Sequence, residues 1–504
     1  MENRILTNIE PKQVFKYFED LTFIPRESGN EQAVSDYLVS FARDHGLEYV
    51  QDEALNVMIF KEAAPGYADH PGVILQAHMD MVCAKKSWSE IDFGSDPIPF
   101  EIDGDKIVAR ETSLGADDGI GVAFILALLA EDGLSHPRLE AVFTTEEETG
   151  LFGVEKLDYT NLTGEYVISL DAADEGVAVI GCAGGPVICS KIPVTHTETD
   201  ASLNYYKIKI QGLQGGHSGE DIHRGRAHAN KLMGRLLMEL WQTLGQDNFV
   251  LAGFRGGDKS NSISRTAEAV VGIRAGYTEP AGNGIMTLEL MDNETRARVI
   301  AEKYAEIYKD EYRINDPGIE VIWDKAEMPE NMLDTASAQK ILGYIELAES
   351  GIVRMDEEFP HLVESSANLG AVRIRPEHAE FWHVVRSSRQ SQADMMAGKI
   401  YRITEMLGGE YCVPAGSPPW QADPESQIRT AYSRVYRRLF DKDPEMLVLH
   451  AALEPCKMAE RAGRRLDMIA FGPDVRNLHA PGEYVTITSC QKLWKTLKML
   501  LEEL

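Results

Sequence analysis

Six cysteines, at 83, 182, 189, 412, 456 and 490, are spread over 504 residues without paired or C-x-x-C spacing. That spacing excludes a disulfide framework and reads as reduced thiols, most of them core residues. No apolar run approaches the ~20 residues that a membrane span needs. The opening MENRILTNIEPKQVF lacks a basic-then-apolar leader, so a cytoplasmic location is expected. Positive charge is scarce: 50 Lys and Arg stand against 80 Asp and Glu, a net charge of −30. Nucleic acid and anionic membrane surfaces are therefore not expected as partners. There is no internal repeat and no low-complexity segment. What remains, 44% hydrophobic and 26% charged residues, is ordinary globular composition, long enough for two or three domains with ample core.

Against that background one pattern recurs. VILQAHMDMV runs an apolar segment into His78 and Asp80. SLGADDGIGVAFIL places Asp117, Asp118 and Gly119 at the mouth of a long apolar segment. FTTEEETG ends another in Glu146, Glu147 and Glu148, and YVISLDAADEG ends a further one in Asp171. In an open α/β sheet the carboxyl ends of neighbouring strands line one crevice. His and carboxylate groups converging there are what a catalytic metal site requires. Taken singly, His-x-Asp is an ordinary polar pair, an EEE run a solvated face, and Asp-Asp-Gly a turn or cap. The joint occurrence, each time beside hydrophobic sequence, carries the reading.

The spacing has mechanical content. Side chains alternate along a strand, so His78 and Asp80 point the same way, and Asp80 can accept the second ring N–H of a ligating His78. Asp117 has two carboxylate oxygens and can bridge two cations. Glu147 and Glu148 are adjacent and point differently, one toward a metal and one toward a water. Carboxylate and imidazole donors without thiolate suit zinc, cobalt or manganese, and residue types alone do not choose among them.

Hydrophobic periodicity organises the rest. Lys12 to Phe23 and Glu31 to His45 read as amphipathic helices around the breaker IPRESGN. Strands then alternate with helices through Asp171, an α/β layer. From about Cys189 the texture becomes α+β: strand-like YYKIKIQGL, helix-like AHANKLMGRLLMELWQTL, strand-like AVVGIRAGY and IEVIWDKA, helical TASAQKILGYIELAES, then strand-like AEFWHVVRSS and another helix. GEYCVPAGSPPWQADPE, rich in Gly and Pro, reads as a connection back, and helix–strand alternation resumes to the end of the chain.

The ordered motifs HMD, ADDG, TEEETG, SLDAADEG and GPDVRNLHAPGE resemble those of the di-metal exopeptidases that include carnosinases and bacterial aminoacyl-histidine dipeptidases. The likeness is nearest the latter and extends over FEDLTFIPRESGNEQAVSDYL, IGCAGG, QGLQGGHSGEDIH, SSANLGAV, VVRSS and HAALEPC. It implies an α/β fold: a di-zinc exopeptidase-like catalytic domain in two parts, 1–190 and 413–504, with an inserted α+β lid or dimerisation domain, 191–412. It implies two divalent metal ions, zinc first, with cobalt or manganese open. His78 and Asp171 hold one ion, Glu148 and His479 the other, and Asp117 bridges them. Asp80 orients His78, and Glu147 is the general base acting on a water between the two ions. A one-residue slip would make the pair Glu146 and Glu147. Asp118 shapes backbone. His217 stabilises the oxyanion, across a homodimer interface or within its own chain. Asn368 and Arg386 bind the substrate carboxylate. Glu454 reads the free amino group, although Pro455 and Cys456 stand where relatives have Cys-Gly. The implied substrate is a short peptide, an Xaa-His dipeptide such as β-alanyl-histidine. An N-acyl-amino-acid deacylase on the same metal centre, or a binding protein of the same fold, are the alternatives.

Overall fold

The computed structural model describes residues 4–276, 291–357 and 359–504. The chain forms two compact units, one from Met1–Cys182 with Trp420–Leu504, the other Ala183–Pro419. The expected boundaries at 190/191 and 412/413 cut two strands, Gly185–Pro193 and Glu410–Ser417, that pair with each other. Their shared ladder keeps both strands in the second unit, so the divisions fall outside them, at 182/183 and 419/420.

In the first unit an eight-stranded sheet runs Glu48–Gln51, Val57–Lys61, Leu139–Thr144, Val73–His78, Tyr166–Ser169, Asp467–Ala470, Val177–Cys182, Glu445–Leu449. Leu139–Thr144, Val73–His78, Tyr166–Ser169 and Asp467–Ala470 are mutually parallel. Parallel strands covered on both faces read as unbroken apolar runs rather than alternations. Every residue of Val73–His78, Leu139–Thr144 and Tyr166–Ser169 is indeed buried. The helix Ala116–Ala130 is apolar on all sides and buried, which is why it shows no amphipathic stripe. Register does the rest. His78 stands opposite Thr144 and Gln76 opposite Ser169, so the same register carried past the strand ends sets Asp171 level with His78. A small sheet of Glu101–Asp103, Lys106–Val108, Val475–Arg476 and Tyr484–Thr486 fixes both ends of the loop 477–483.

The second unit is built on a nine-stranded antiparallel sheet, in order Glu320–Lys325, Leu203–Gln211, Ala267–Arg274, Phe249–Gly256, Val363–Ile374, His378–Ser387, Gly185–Pro193, Glu410–Ser417, with Gly351–Met355 beside Val363–Ile374. In Leu203–Gln211, Tyr206, Ile208 and Ile210 enter the core while Lys207 and Lys209, on the other face, are exposed or half-buried, the alternation of a sheet covered on one side. Leu232, Leu236, Leu237 and Leu240 of helix Ala229–Leu244 belong to that core. The expected strand AVVGIRAGY is seen as Ala267–Arg274, and its Tyr277 lies outside the described residues. GEYCVPAGSPPWQADPE is not all connection: Glu410–Ser417 is the edge strand of the sheet. Pro414 is tolerated because it falls in the register irregularity between Cys412 and Ala415, on an edge strand where a missing N–H costs little. Among the described residues no helix is long and apolar enough to cross a membrane.

Candidate metal centre

His78 ends its strand fully buried, and its Nε2 lies 3.1 Å from Oδ1 of Asp117. The other oxygen of Asp117, Oδ2, lies 3.1 Å from Nε2 of His479. Glu148 Oε1 is 2.8 Å from that same nitrogen, at hydrogen-bond distance but without hydrogen-bond alignment. Donor atoms of His78, Asp117 and Glu148 all fall within 4.8 Å of one another. Asp171 has no contact as close as these, yet its charge acts on His78, Asp118 and Glu147.

Local backbone explains why these side chains meet. Gly115 takes a left-handed φ of 68°, and a Cβ there would strike Arg26 and Met81. Asp117 and Asp118 follow with non-helical dihedrals, joined by a cis peptide, before the helix proper begins. Glu146 is also left-handed and turns the chain into the single helical turn Glu147–Gly150. Its own carboxylate goes to Lys156 at 3.7 Å, whereas Glu148 reaches His479. Asn477 and His479 are both left-handed in the loop 477–483.

Asp80 ties three of these pieces together. Oδ1 lies 3.4 Å from Nδ1 of His78 and accepts the backbone N–H of Glu147 at 3.2 Å. Oδ2 accepts from Ser28 Oγ at 2.7 Å and from the Glu148 N–H at 3.4 Å. Two further residues were not anticipated. Arg26, buried, donates to the carbonyls of Met79, Asp80 and Gly115. Glu483, buried, accepts the backbone N–H groups of Leu114, Gly115, Ala116 and Asp117. Both touch backbone only. Their signals were a charged residue inside the breaker IPRESGN and an acid four positions after His479.

The electrostatics are those of a nest with excess negative charge. Burial works against a charged His78, but Asp117, Asp80 and Asp171 outweigh it and hold its pKa well above the usual value. Contact with Asp117 and Glu148 raises His479 to about 10. Burial, reinforced by Asp117, Glu148 and Asp80, lifts Asp171 to about 7. Glu147 is pushed well above the carboxylate range by burial and by Asp171, Glu454 and Glu148. Histidines that retain protons and carboxylates that resist losing them both register charge that divalent cations would neutralise. The donor set thus fits divalent cations in both chemistry and proximity.

Glu454 begins the helix Glu454–Arg461, with Pro455 next to it in the first turn, and is completely buried. Its Oε2 accepts from Gln76 and Thr144, its Oε1 has no partner, and burial raises its pKa to about 8.

In the second unit His217, Asn368 and Arg386 gather around the segment 260–263. His217 pairs with Ser262 in a short ladder, and Asn368 donates to the carbonyls of Ser260 and Ser262 at 2.8 and 2.9 Å. Arg386 Nη2 lies 3.2 Å from His217 Nε2, and its Nε donates to Ser218 Oγ at 3.4 Å. Burial and the adjacent guanidinium lower the pKa of His217, so its ring is neutral.

Residues 74–503 match the family model described as peptidase family M20/M25/M40. The chain belongs to that family. Its metallopeptidases bind divalent metals. The chain is 30% identical over 499 residues to the cytosol non-specific dipeptidase of Escherichia coli K12, covering 99% of each chain. Among solved structures it superposes on the aminoacylhistidine dipeptidase of Vibrio alginolyticus with a TM-score of 0.86 and 31% identity, over 99% of this chain and 98% of that one. It shares the fold of the aminopeptidase PepT from Bacillus cereus, TM-score 0.54 at 14% identity, over 98% and 99% of the two chains. The α/β architecture, the peptidase class and the metal dependence expected from the sequence are thereby borne out.

Proposed function

We propose that this protein is a cytoplasmic, homodimeric dipeptidase that works with two zinc ions and prefers unblocked Xaa-His dipeptides, β-alanyl-histidine among them. The observation that carries the reading is Asp117, whose two oxygens each face a different histidine at 3.1 Å, as a carboxylate shared by two cations must. The Escherichia coli and Vibrio alginolyticus relatives both bear dipeptidase names, one a cytosol non-specific dipeptidase and one an aminoacylhistidine dipeptidase.

His78 and Asp171 would hold one ion, Glu148 and His479 the other, with Asp117 common to both. When bound, the ions supply Lewis acidity, which acidifies a water and polarises the scissile carbonyl. Asp80 keeps the His78 ring oriented, supported by its 3.4 Å approach to Nδ1. Glu147 takes the proton of the attacking water and returns it to the departing amine, the double use that a carboxylate raised well above its ordinary range allows. The choice of Glu147 and Glu148 over Glu146 and Glu147 is supported by the separate pairing of Glu146 with Lys156. His217 donates to the developing oxyanion, Arg386 holds the substrate carboxylate through its planar fork, and Asn368 joins it by releasing one of the two carbonyls, of Ser260 and Ser262, to which its amide donates. Oε1 of Glu454, which lacks a partner, is the acceptor left for the substrate ammonium. Residues 183–419 form the lid and dimerisation domain.

The test is hydrolysis of a panel, β-alanyl-histidine, other Xaa-His, apolar dipeptides and N-acetyl amino acids, after chelation and after add-back of zinc, cobalt or manganese. Metal-restored cleavage of the unblocked dipeptides, Xaa-His fastest, is the expected result. Cleavage of the acetylated compounds alone would make the protein a deacylase, and no turnover with any metal would reduce it to a binding protein.

A further inference from the structure

Cysteines that are scattered in sequence come together in space. Cys182 and Cys456, both fully buried in the first unit, have their thiols in hydrogen-bond contact. Cys189 and Cys412 stand directly opposite each other on the antiparallel strands Gly185–Pro193 and Glu410–Ser417. Their thiols are also in contact, and Cys412 Sγ donates to the Cys189 carbonyl at 3.3 Å. Facing residues of an antiparallel ladder have Cα atoms roughly 4.5–5.5 Å apart, inside the roughly 4.4–6.8 Å range of disulfides. A bond between them is therefore compatible with the ladder spacing.

Access separates the two pairs. Cys412 lies exposed on the edge strand, with no further strand beyond it among the described residues, while Cys189 is 1% exposed beneath it. We propose that Cys189 and Cys412 form an oxidisable dithiol that closes to an intrachain disulfide when the protein meets a small-molecule disulfide of the glutathione type. The Cys412 thiolate attacks one sulfur of the small disulfide, forming a mixed disulfide and releasing one small thiolate. Cys189 gives up its proton to solvent or to the released thiolate and attacks the Cys412 sulfur, displacing the second small thiol. Two protein thiols are oxidised and one small disulfide is reduced to two thiols. The order follows from access, and burial together with Cys412 holds the Cys189 thiol up to about 12, which keeps it protonated and a poor first nucleophile. Closure ties the edge strand covalently to its neighbour, at the point where Pro414 and the ladder irregularity leave it weakest.

The metal-loaded full chain is incubated in glutathione buffers of increasing disulfide fraction, quenched by alkylation, digested without reduction and mapped by mass spectrometry. The expected product joins the peptides carrying Cys189 and Cys412 within one chain, while Cys182 and Cys456 stay alkylated as thiols. Amide exchange over 410–417 should slow by about tenfold or more on closure. Cys189→Ser should stop at a glutathione adduct on Cys412, and Cys412→Ser should leave Cys189 a free thiol. Three results overturn the proposal: an adduct on wild-type Cys412 with Cys189 still free, a Cys412 cross-link between chains, or oxidation of the buried Cys182–Cys456 pair first. The decisive map is of the wild-type protein, so it does not depend on either variant folding.

Discussion

Glu483 accepts the backbone N–H of Asp117 at 3.3 Å across 366 residues of chain, and with the same carboxylate it takes the three preceding N–H groups. The residue that faces both histidines is thus aimed by a carboxylate that touches no proposed ligand atom. Glu483→Gln turns an amide nitrogen toward two of those donors. We expect metal affinity to fall by about 10–100-fold, the usual cost of losing a group that orients a ligand. Competition with a chromophoric chelator reads the affinity, and circular dichroism shows whether the fold persists. Unchanged affinity would make Glu483 a matter of loop stability alone.

Glu147 and Glu146 are neighbours with different surroundings, one half-buried among carboxylates and one paired with Lys156 at the surface. Glu147→Gln should lower kcat by about 10²–10⁴-fold or more while metal content stays that of the wild type. Glu146→Gln should leave turnover near normal. Steady-state kinetics beside elemental analysis settles it, and the reverse ranking would move the base by one residue.

How legible was this in the sequence? The ligand-bearing strand ends were, because parallel strands buried on both faces must be unbroken apolar runs, and the side chains at the end of each run land on one edge of the sheet. His78 and Glu148 were found that way, and Asp117 by its place at the mouth of the apolar helix Ala116–Ala130. Arg26 and Glu483 were not, because they act through backbone groups, and no residue pattern records which carbonyl or N–H a side chain will meet. The strand Glu410–Ser417 was hidden by Pro414, a breaker everywhere except at an irregular edge. The pairing of Cys189 with Cys412 depends on ladder register across more than 200 intervening residues, and spacing in the chain carries no trace of it.

Arg386 should matter in proportion to the charge it meets. A hydrogen bond to a charged partner contributes about 1.5–3 kcal/mol, roughly 10–150-fold in kcat/KM. Arg386→Ala should impose a loss of that order on a free-acid dipeptide and little on its C-terminal amide, which lacks the carboxylate. Kinetics on the matched pair makes the comparison. Equal losses on both would assign Arg386 to positioning His217, 3.2 Å away, rather than to substrate.

Two histidines of the second unit give stability a defined pH dependence. Burial lowers His383 to about 3 and His228 to about 4, and each has an Nδ1 without a hydrogen-bond partner. Both are neutral in the folded chain, whereas the unfolded chain protonates them near pH 6.5. Between about pH 6.5 and 4 the unfolded state therefore binds more protons, and stability falls as pH falls; above 6.5 the contribution is complete. Each histidine adds a slope of about 1.4 kcal/mol per pH unit within that window. Urea unfolding at a series of pH values should show the H228N/H383Q double variant losing less stability on acidification than wild type, by up to two protons per chain. Parallel curves for the two proteins would mean that these rings are already charged in the fold.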